Sequence, residues 1–367
     1  MNENIIRCCE FGDELAGDEV FTFHGRTYCE ECFENCTVVC EHCGERIYEE
    51  DSVSDSNISL CQYCYDNYYS RCDECERLIH NDDVYYCDED EDYPLCYNCY
   101  SSRNKKKSIH EYSYKPNPIF YGNGNRFFGV ELEVDEGGHY DENAREVLNI
   151  ANKTTEDRLY IKTDGSLENG FEMVSHPMTL EYHNNEMVWA EIMKKLVNMG
   201  YKSHKTGTCG LHFHVNRESL GDTHEKREET IGRIIYFVEH HWEQILRFSR
   251  RTRAQMDEWA SRYGMDRRDN PKRLYDNVKK YYARHKAVNI QNYSTIEFRM
   301  CRGTLKYETF IASMQLINEI CNSAVALTDE EMQNLTWTDF ISKLTPENHK
   351  ELIEYLTKRG LYTKEAE

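Results

Sequence analysis

In the larger, C-terminal part of the chain, short stretches of alternating apolar and polar residues are separated by longer stretches of helical period. In Phe128-Gly129-Val130-Glu131-Leu132-Glu133-Val134 a strand's period of two puts Val130, Leu132 and Val134 on one face. Glu131 and Glu133 share the other face, roughly 7 Å apart. Three later stretches repeat the device: Phe171-Glu172-Met173-Val174, Leu211-His212-Phe213-His214-Val215 and Ile296-Glu297-Phe298-Arg299-Met300. Between and after them the period changes to that of a helix over residues 180–199, 226–248 and 307–327. Thr328-Asp329-Glu330-Glu331 then offers an N-cap, and residues 328–367 read as a helical C-terminal tail. The pattern predicts an α+β domain over residues 125–327, with a sheet whose one face is core and whose other face carries Glu, His and Arg. A solvated strand face shows the same alternation, so the argument rests on four such strands occurring together.

The first hundred residues lack this periodicity and are organised by cysteine. Cys8, Cys40 and Cys72 open units at a spacing of 32, closed by Cys29-x-x-Cys32, Cys61-x-x-Cys64 and Cys96-x-x-Cys99. Units two and three each contain two Cys-x-x-Cys pairs, which supply four sulfurs for one tetrahedral zinc: Cys40, Cys43, Cys61 and Cys64, then Cys72, Cys75, Cys96 and Cys99. In unit one Phe11 stands where the second cysteine is expected. Its ligands are then Cys8 or Cys9 with Cys29 and Cys32, completed by His24 or Cys36. The three tandem repeats span about residues 8–36, 40–68 and 72–100 of a segment 1–102, and a polar, basic linker is expected over 103–124.

Charge divides at the same place. Residues 1–100 hold 26 Asp/Glu against 5 Arg and no Lys, a balance of −21 within the chain's −22. Such a surface disfavours binding to nucleic-acid phosphates and suits a basic protein partner. There is no apolar run of membrane-spanning length and no signal-peptide pattern, so the expected location is cytoplasmic, where dense thiols read as zinc ligands rather than disulfides. The cysteine units resemble zinc modules of the LIM or zinc-ribbon type, although seven residues separate Cys64 from Cys72, longer than a LIM spacer. That resemblance implies small zinc-bound β-hairpin modules that hold a protein or peptide partner.

The ordered motifs Gly129-x-Glu131-x-Glu133, Gly170-x-Glu172-x-x-Ser175-x-Pro177, Gly210-Leu211-His212-x-His214-Val215 and Glu297-Phe298-Arg299 carry a further resemblance over residues 126–327. Together they resemble the amidoligases often found in phages, within the glutamine synthetase-like carboxylate-amine ligases. The resemblance implies an antiparallel sheet whose polar face holds ATP and Mg2+. It implies metal and nucleotide binding through Glu131, Glu133, Glu172, His212 and Glu297, and places His214 near the nucleotide. Arg299 and Arg302 resemble the arginines that face the transferred phosphoryl group and the substrate carboxylate.

A carboxylate-rich face suits magnesium, and no Gly-x-x-x-x-Gly-Lys-Ser/Thr loop is present. The expected activity is therefore ATP-dependent amide or isopeptide bond formation between a carboxylate and an amine, through an acyl phosphate. In a phage-encoded protein that location is the host cytoplasm. Two alternatives belong to different classes: a phosphotransferase acting on a guanidine, and a non-catalytic adaptor whose zinc modules hold protein partners.

Overall fold

The computed structural model describes residues 6–10, 12, 14–15, 20–87, 90–104, 107–152, 156–280 and 283–362. The chain divides into two units, Met1–Lys106 with Ser113–Pro116 and Lys107–Tyr112 with Asn117–Glu367.

Within the smaller unit each repeat folds as two short antiparallel hairpins and a helix. In the second repeat Thr37–Val39 pairs with Arg46–Tyr48, Ser52–Ser54 pairs with Ser59–Cys61, and the helix Gln62–Tyr68 follows. The first hairpin turns through a left-handed residue, Gly44 at φ 75°, and its N–H donates to Cys40 O at 2.8 Å. Glu76 repeats that turn at φ 62°, and so does Gly12 at φ 77°. The first repeat therefore keeps the turn even though its sequence lacks the second cysteine; Phe11 itself lies outside the described residues. Buried apolar residues are spread thinly here: Leu60 and Leu78 lie among the cysteines of one cluster, Tyr28 in another, and Val84, Tyr85, Leu95 and Tyr100 in the third repeat.

The larger unit is built on seven strands: β1 (Ile109–His110), β2 (Phe128–Val134), β3 (Leu159–Lys162), β4 (Phe171–Ser175), β5 (Gly210–Asn216), β6 (Val288–Asn289) and β7 (Thr295–Arg302). Their order is β1-β3-β4-β2-β5-β7-β6. All pairs are antiparallel except the edge pair β1–β3, which is parallel, so the sheet is mixed rather than wholly antiparallel. The four strands read from alternation are the four central ones. β1 lies inside the stretch expected as linker.

Val130, Leu132, Leu211, Phe213, Ile296 and Phe298 are fully buried on the core face, as the alternation requires. Against them pack the helices α1 (Trp189–Asn198), α2 (His224–His240), α3 (Trp242–Ser249) and α4 (Tyr307–Ala326), with Phe310 5.8 Å from Phe213 between ring centres. The helix expected over 226–248 breaks at His241, whose Nε2 lies 3.1 Å from Leu335 O. The C-terminal helices, among them α5 (Trp337–Ser342) and α6 (Pro346–Lys358), bury Phe340, Leu352 and Leu356 in the same core. Thr328 and Glu331 close a capping box at the start of this segment, as its sequence implies. Among the described residues no helix is long and apolar enough to cross a membrane.

One buried contact has a pH consequence. Trp189 Nε1 donates to His183 Nδ1 at 3.1 Å, so the ring's proton sits on Nε2 and is donated to Phe128 O, also 3.1 Å away. Burial lowers the His183 pKa from 6.5 to about 4, and burial does the same for His241. Both rings are held neutral in the fold, and their unfolded counterparts take up protons first as the pH falls. The stability they contribute is complete above about pH 6.5 and is lost progressively toward pH 4. All tryptophans, Trp189, Trp242, Trp259 and Trp337, lie in this unit, so its unfolding is read by their fluorescence. The urea midpoint should fall between about pH 7 and pH 5. An unchanged midpoint would contradict the burial argument.

Candidate active site and metal centres

Strand register assembles the polar face in two rows. Lys162 pairs with Glu172 across β3–β4, and Glu172 pairs with Glu133 across β4–β2. In the second row Glu131 pairs with His212 across β2–β5. On β7 a bulge opposite His212 adds one residue between Phe298 and Cys301. Alternation keeps Met300 in the core and Arg299 on the polar side, and the extra residue brings Cys301 opposite the core residue Leu211 and Arg302 opposite Gly210. These partners are direct cross-strand neighbours, close enough for their side chains to interact.

His212 is the centre of the cluster. Its Nδ1 lies 3.2 Å from Glu131 Oε2, 3.7 Å from Glu297 Oε1 and 4.0 Å from Glu133 Oε1. Two triads of ligand atoms, each within 4.8 Å of one another, share it: Glu131–His212–Glu297 and Glu133–Glu172–His212. Burial opposes the charge on every carboxylate here. On Glu131 the neighbouring His214 and His212 outweigh burial and hold the pKa well below the usual range, and His214 does the same for Glu297. For Glu133 burial wins and raises the pKa; for Glu172 burial and the charge of Glu131 raise it well above the usual range. Lys162 Nζ lies 3.1 Å from Glu172 Oε2.

Above this floor is a cavity of about 370 Å³, lined by Glu131, Glu133, Glu172, His212 and Arg299 together with Lys162 and Arg251. The remaining sequence candidates lie elsewhere. Glu297 is buried beneath the cavity, accepting from Arg299 Nη1 and from Asn289 Nδ2 at 2.8 Å. His214 stands behind Glu131, with Nε2 3.2 Å from Glu131 Oε1 and Nδ1 3.2 Å from Thr295 Oγ1. Arg302 is outside the cavity, donating to Arg250 O at 3.3 Å in a neighbouring recess. The guanidinium that does reach the floor from that side is Arg251, fixed by bonds from Nε and Nη2 to Cys301 O at 3.3 and 3.1 Å.

Loops are fastened to this face by Asp135. Its carboxylate accepts from the backbone N–H of Glu136, Glu168 and Asn169 at 2.8, 3.1 and 2.7 Å and from Thr208 Oγ1 at 3.0 Å. It thereby ties the loops before β4 and β5 to the end of β2. Asp164 closes an Asx turn on Ser166, as an Asp-Gly dipeptide commonly does, yet also lines the cavity. Two glycines allow the close approach. At Gly210 a Cβ would lie 2.6 Å from His212 Nε2, and at Gly170 it would lie 1.9 Å from Val134 O. The second contact is with backbone and cannot be relieved by a side-chain rotation. Gly170→Ala should therefore destabilise the larger unit by about 2 kcal/mol or more, measured as a lowered urea midpoint. A midpoint within error of wild type would show that β2 and β4 do not approach as described.

In the smaller unit the thiols converge in three clusters: Cys40/Cys43/Cys61/Cys64, Cys72/Cys75/Cys96/Cys99 and Cys8/Cys29/Cys32. The second cysteine of each unit's closing pair directs its N–H at Sγ of the first in two of them, Cys32 to Cys29 and Cys64 to Cys61, both at 3.4 Å. Burial raises the Cys40 thiol, but N–H groups of Cys43, Cys61 and His42 outweigh it and bring the pKa to about 6. Cys72, under the same opposition, falls to about 7. Cys40 and Cys72 are thus ready-made thiolate ligands, whereas burial and the neighbouring sulfurs push Cys32, Cys64 and Cys99 up. Among the described residues neither His24, Cys36 nor Cys9 joins the three-cysteine cluster.

Residues 141–321 match the family model described as "Putative amidoligase enzyme". The matched segment includes Glu172, His212, His214, Glu297, Arg299 and Arg302, and begins after Glu131 and Glu133. Among solved structures, a bifunctional glutathione synthetase from Pasteurella multocida is similar at 12% identity and a TM-score of 0.32, over 65% of this chain. The chain spans 45% of that protein's length. No curated protein matches the sequence.

Proposed function

We propose that the larger unit, whose residues 141–321 carry the amidoligase match, is an ATP-dependent carboxylate–amine ligase on a glutamine synthetase-like sheet. The observation that supports this most is the pair of ligand triads sharing His212 on the floor of a cavity that also holds Arg299 and Arg251. Carboxylate oxygens with one imidazole suit magnesium or manganese, so the residues fit divalent cations at Glu131/His212/Glu297 and Glu133/Glu172/His212. Ions bound there supply charge neutralisation for the phosphates of ATP.

In this reading a substrate carboxylate oxygen attacks the γ-phosphorus of ATP and ADP leaves. The amine then attacks the acyl carbon, phosphate departs with the former carboxylate oxygen, and the amine's proton passes to water. Arg299 and Arg251 offer guanidinium donors to the negative charge that develops on the transferred phosphoryl group. Arg299 does so while still bonded to Glu297, which fixes its orientation. His214 holds Glu131 rather than touching substrate. The smaller unit, zinc-bound and acidic, serves to recruit a protein or peptide substrate.

Hydroxylamine trapping tests the chemistry, since only an acyl phosphate yields a hydroxamate. With ATP, magnesium and a panel of carboxylate-bearing peptides, hydroxamate should form only in the complete mixture. A phosphorus–nitrogen product would assign the guanidine phosphotransferase instead. ATP left unconsumed under all conditions would leave the adaptor reading.

A further inference from the structure

A second cavity of the larger unit, about 750 Å³, lies between α3 and the C-terminal segment, partly outside the family match. Arg247, Arg250, Arg251 and Arg359 line it. The one carboxylate among its lining residues, Glu243, is already bonded to Arg253 Nη2 at 2.8 and 3.0 Å. None of the four arginines makes an ion pair among the described residues. They are held by neutral groups instead: Arg359 donates from Nε and Nη2 to Arg247 O at 3.0 and 2.7 Å, and Arg251 donates to Cys301 O. Trp337 Nε1 bonds Leu361 O at 2.9 Å and pins the chain beyond Arg359. Arg250 is the C-cap of α3 at φ 63° and ψ 11°, a left-handed position where glycine is the usual occupant.

Within this cavity four guanidinium groups face one carboxylate, already engaged by Arg253, and strain at Arg250 adds to the cost. Such an arrangement is explained by an anionic ligand that supplies the missing charge. Arg251 lines both this cavity and the carboxylate-floored one and so stands between them. Its walls also contain Leu246, Trp337, Ile341 and Leu361, which suit a peptide backbone and methylene chains better than a bare phosphate.

Resting on the ligase reading, we propose that this cavity binds an acidic peptide, and that the carboxylate substrate is one side chain of a polycarboxylate segment whose other carboxylates sit on these arginines. Arg251 guides the reacting carboxylate to the metal face.

The test is calorimetric titration of the full chain, without ATP, using three probes: an alternating Glu/Ser peptide, its Gln/Ser counterpart and inorganic triphosphate. The acidic peptide should bind, the neutral one should not, and binding should weaken with salt. Arg247→Gln and Arg359→Gln should each weaken it roughly ten- to a hundredfold. Thr338→Glu, which adds a carboxylate at an exposed wall position without removing an arginine, should weaken it as well. Failure of the acidic peptide to bind, equal binding by these variants, or binding of triphosphate in its place would overturn the proposal. Glu133→Gln should leave peptide binding intact. A wild type that binds the acidic peptide but no magnesium–ATP would count against the ligase reading and not against this cavity.

Discussion

Removal of metal from the cysteine-rich unit is expected to unfold it while the larger unit stays folded. Each repeat is about 32 residues long, below the size at which a chain buries enough apolar surface to fold unaided. Besides the cysteines, the buried apolar residues described in this unit are Tyr28, Leu60, Leu78, Ile79, Val84, Tyr85, Leu95, Tyr100 and Tyr114, only a few per repeat. Clusters of four thiols supply what the core does not, since a structural zinc contributes on the order of 10 kcal/mol to folding. Elemental analysis should find two to three zinc ions per chain, matching two four-cysteine clusters and one of three. A strong chelator should abolish near-ultraviolet dichroism from the tyrosine-rich unit and expose the first hundred residues to protease. The tryptophan melting curve should hardly move, because every tryptophan lies in the other unit. A chelated protein whose smaller unit keeps its dichroism would show that these cysteines do not fold around metal.

The second large effect is expected from His212→Ala. This side chain belongs to both ligand triads, so its loss removes one donor from each. It also leaves Glu131, Glu133 and Glu297 facing one another across the space the imidazole filled. Manganese affinity, read by electron paramagnetic resonance, should fall at least about a hundredfold. Asn289→Ala, which removes a bond to Glu297 and one from the Gln291 N–H but no ligand atom of either triad, should cost far less. The tryptophan melting curve separates loss of metal from loss of fold. Manganese binding that survives His212→Ala unchanged would place the cations elsewhere.

How much of this was legible in the sequence depended on whether one strand carried its own signal. β2, β4, β5 and β7 each have a buried face and a polar one, and alternation therefore identified them and the residues they present. β1 and β6 are two residues long and carry no period to read. Lys162 becomes meaningful only once β3 is known to lie beside β4, a pairing between segments that the local pattern does not encode. Arg302 follows the Glu297–Arg299 face at the strand end, where it pairs with Gly210, but its guanidinium turns to Arg250 O, and Arg251 lines the cavity instead. Arg251 sits in a run of four arginines within seven positions, where sequence alone does not distinguish a solvated charge from a buried one. The 32-residue period exposed both four-cysteine sets because ligand spacing is a local property. The first repeat retains the turn but not the residue, so spacing alone does not choose among its several cysteines and a histidine.

The central claim is that nucleotide binds with divalent metal on the face formed by Glu131, Glu133, Glu172 and His212. Calorimetry of ATP binding to the full chain, with and without magnesium, for wild type and Glu133→Gln, tests it without knowledge of the substrate. The account predicts magnesium-dependent binding in wild type that is lost in the variant while its tryptophan melting curve is retained. A folded wild type that binds no ATP, or a variant that binds it equally well, would contradict it.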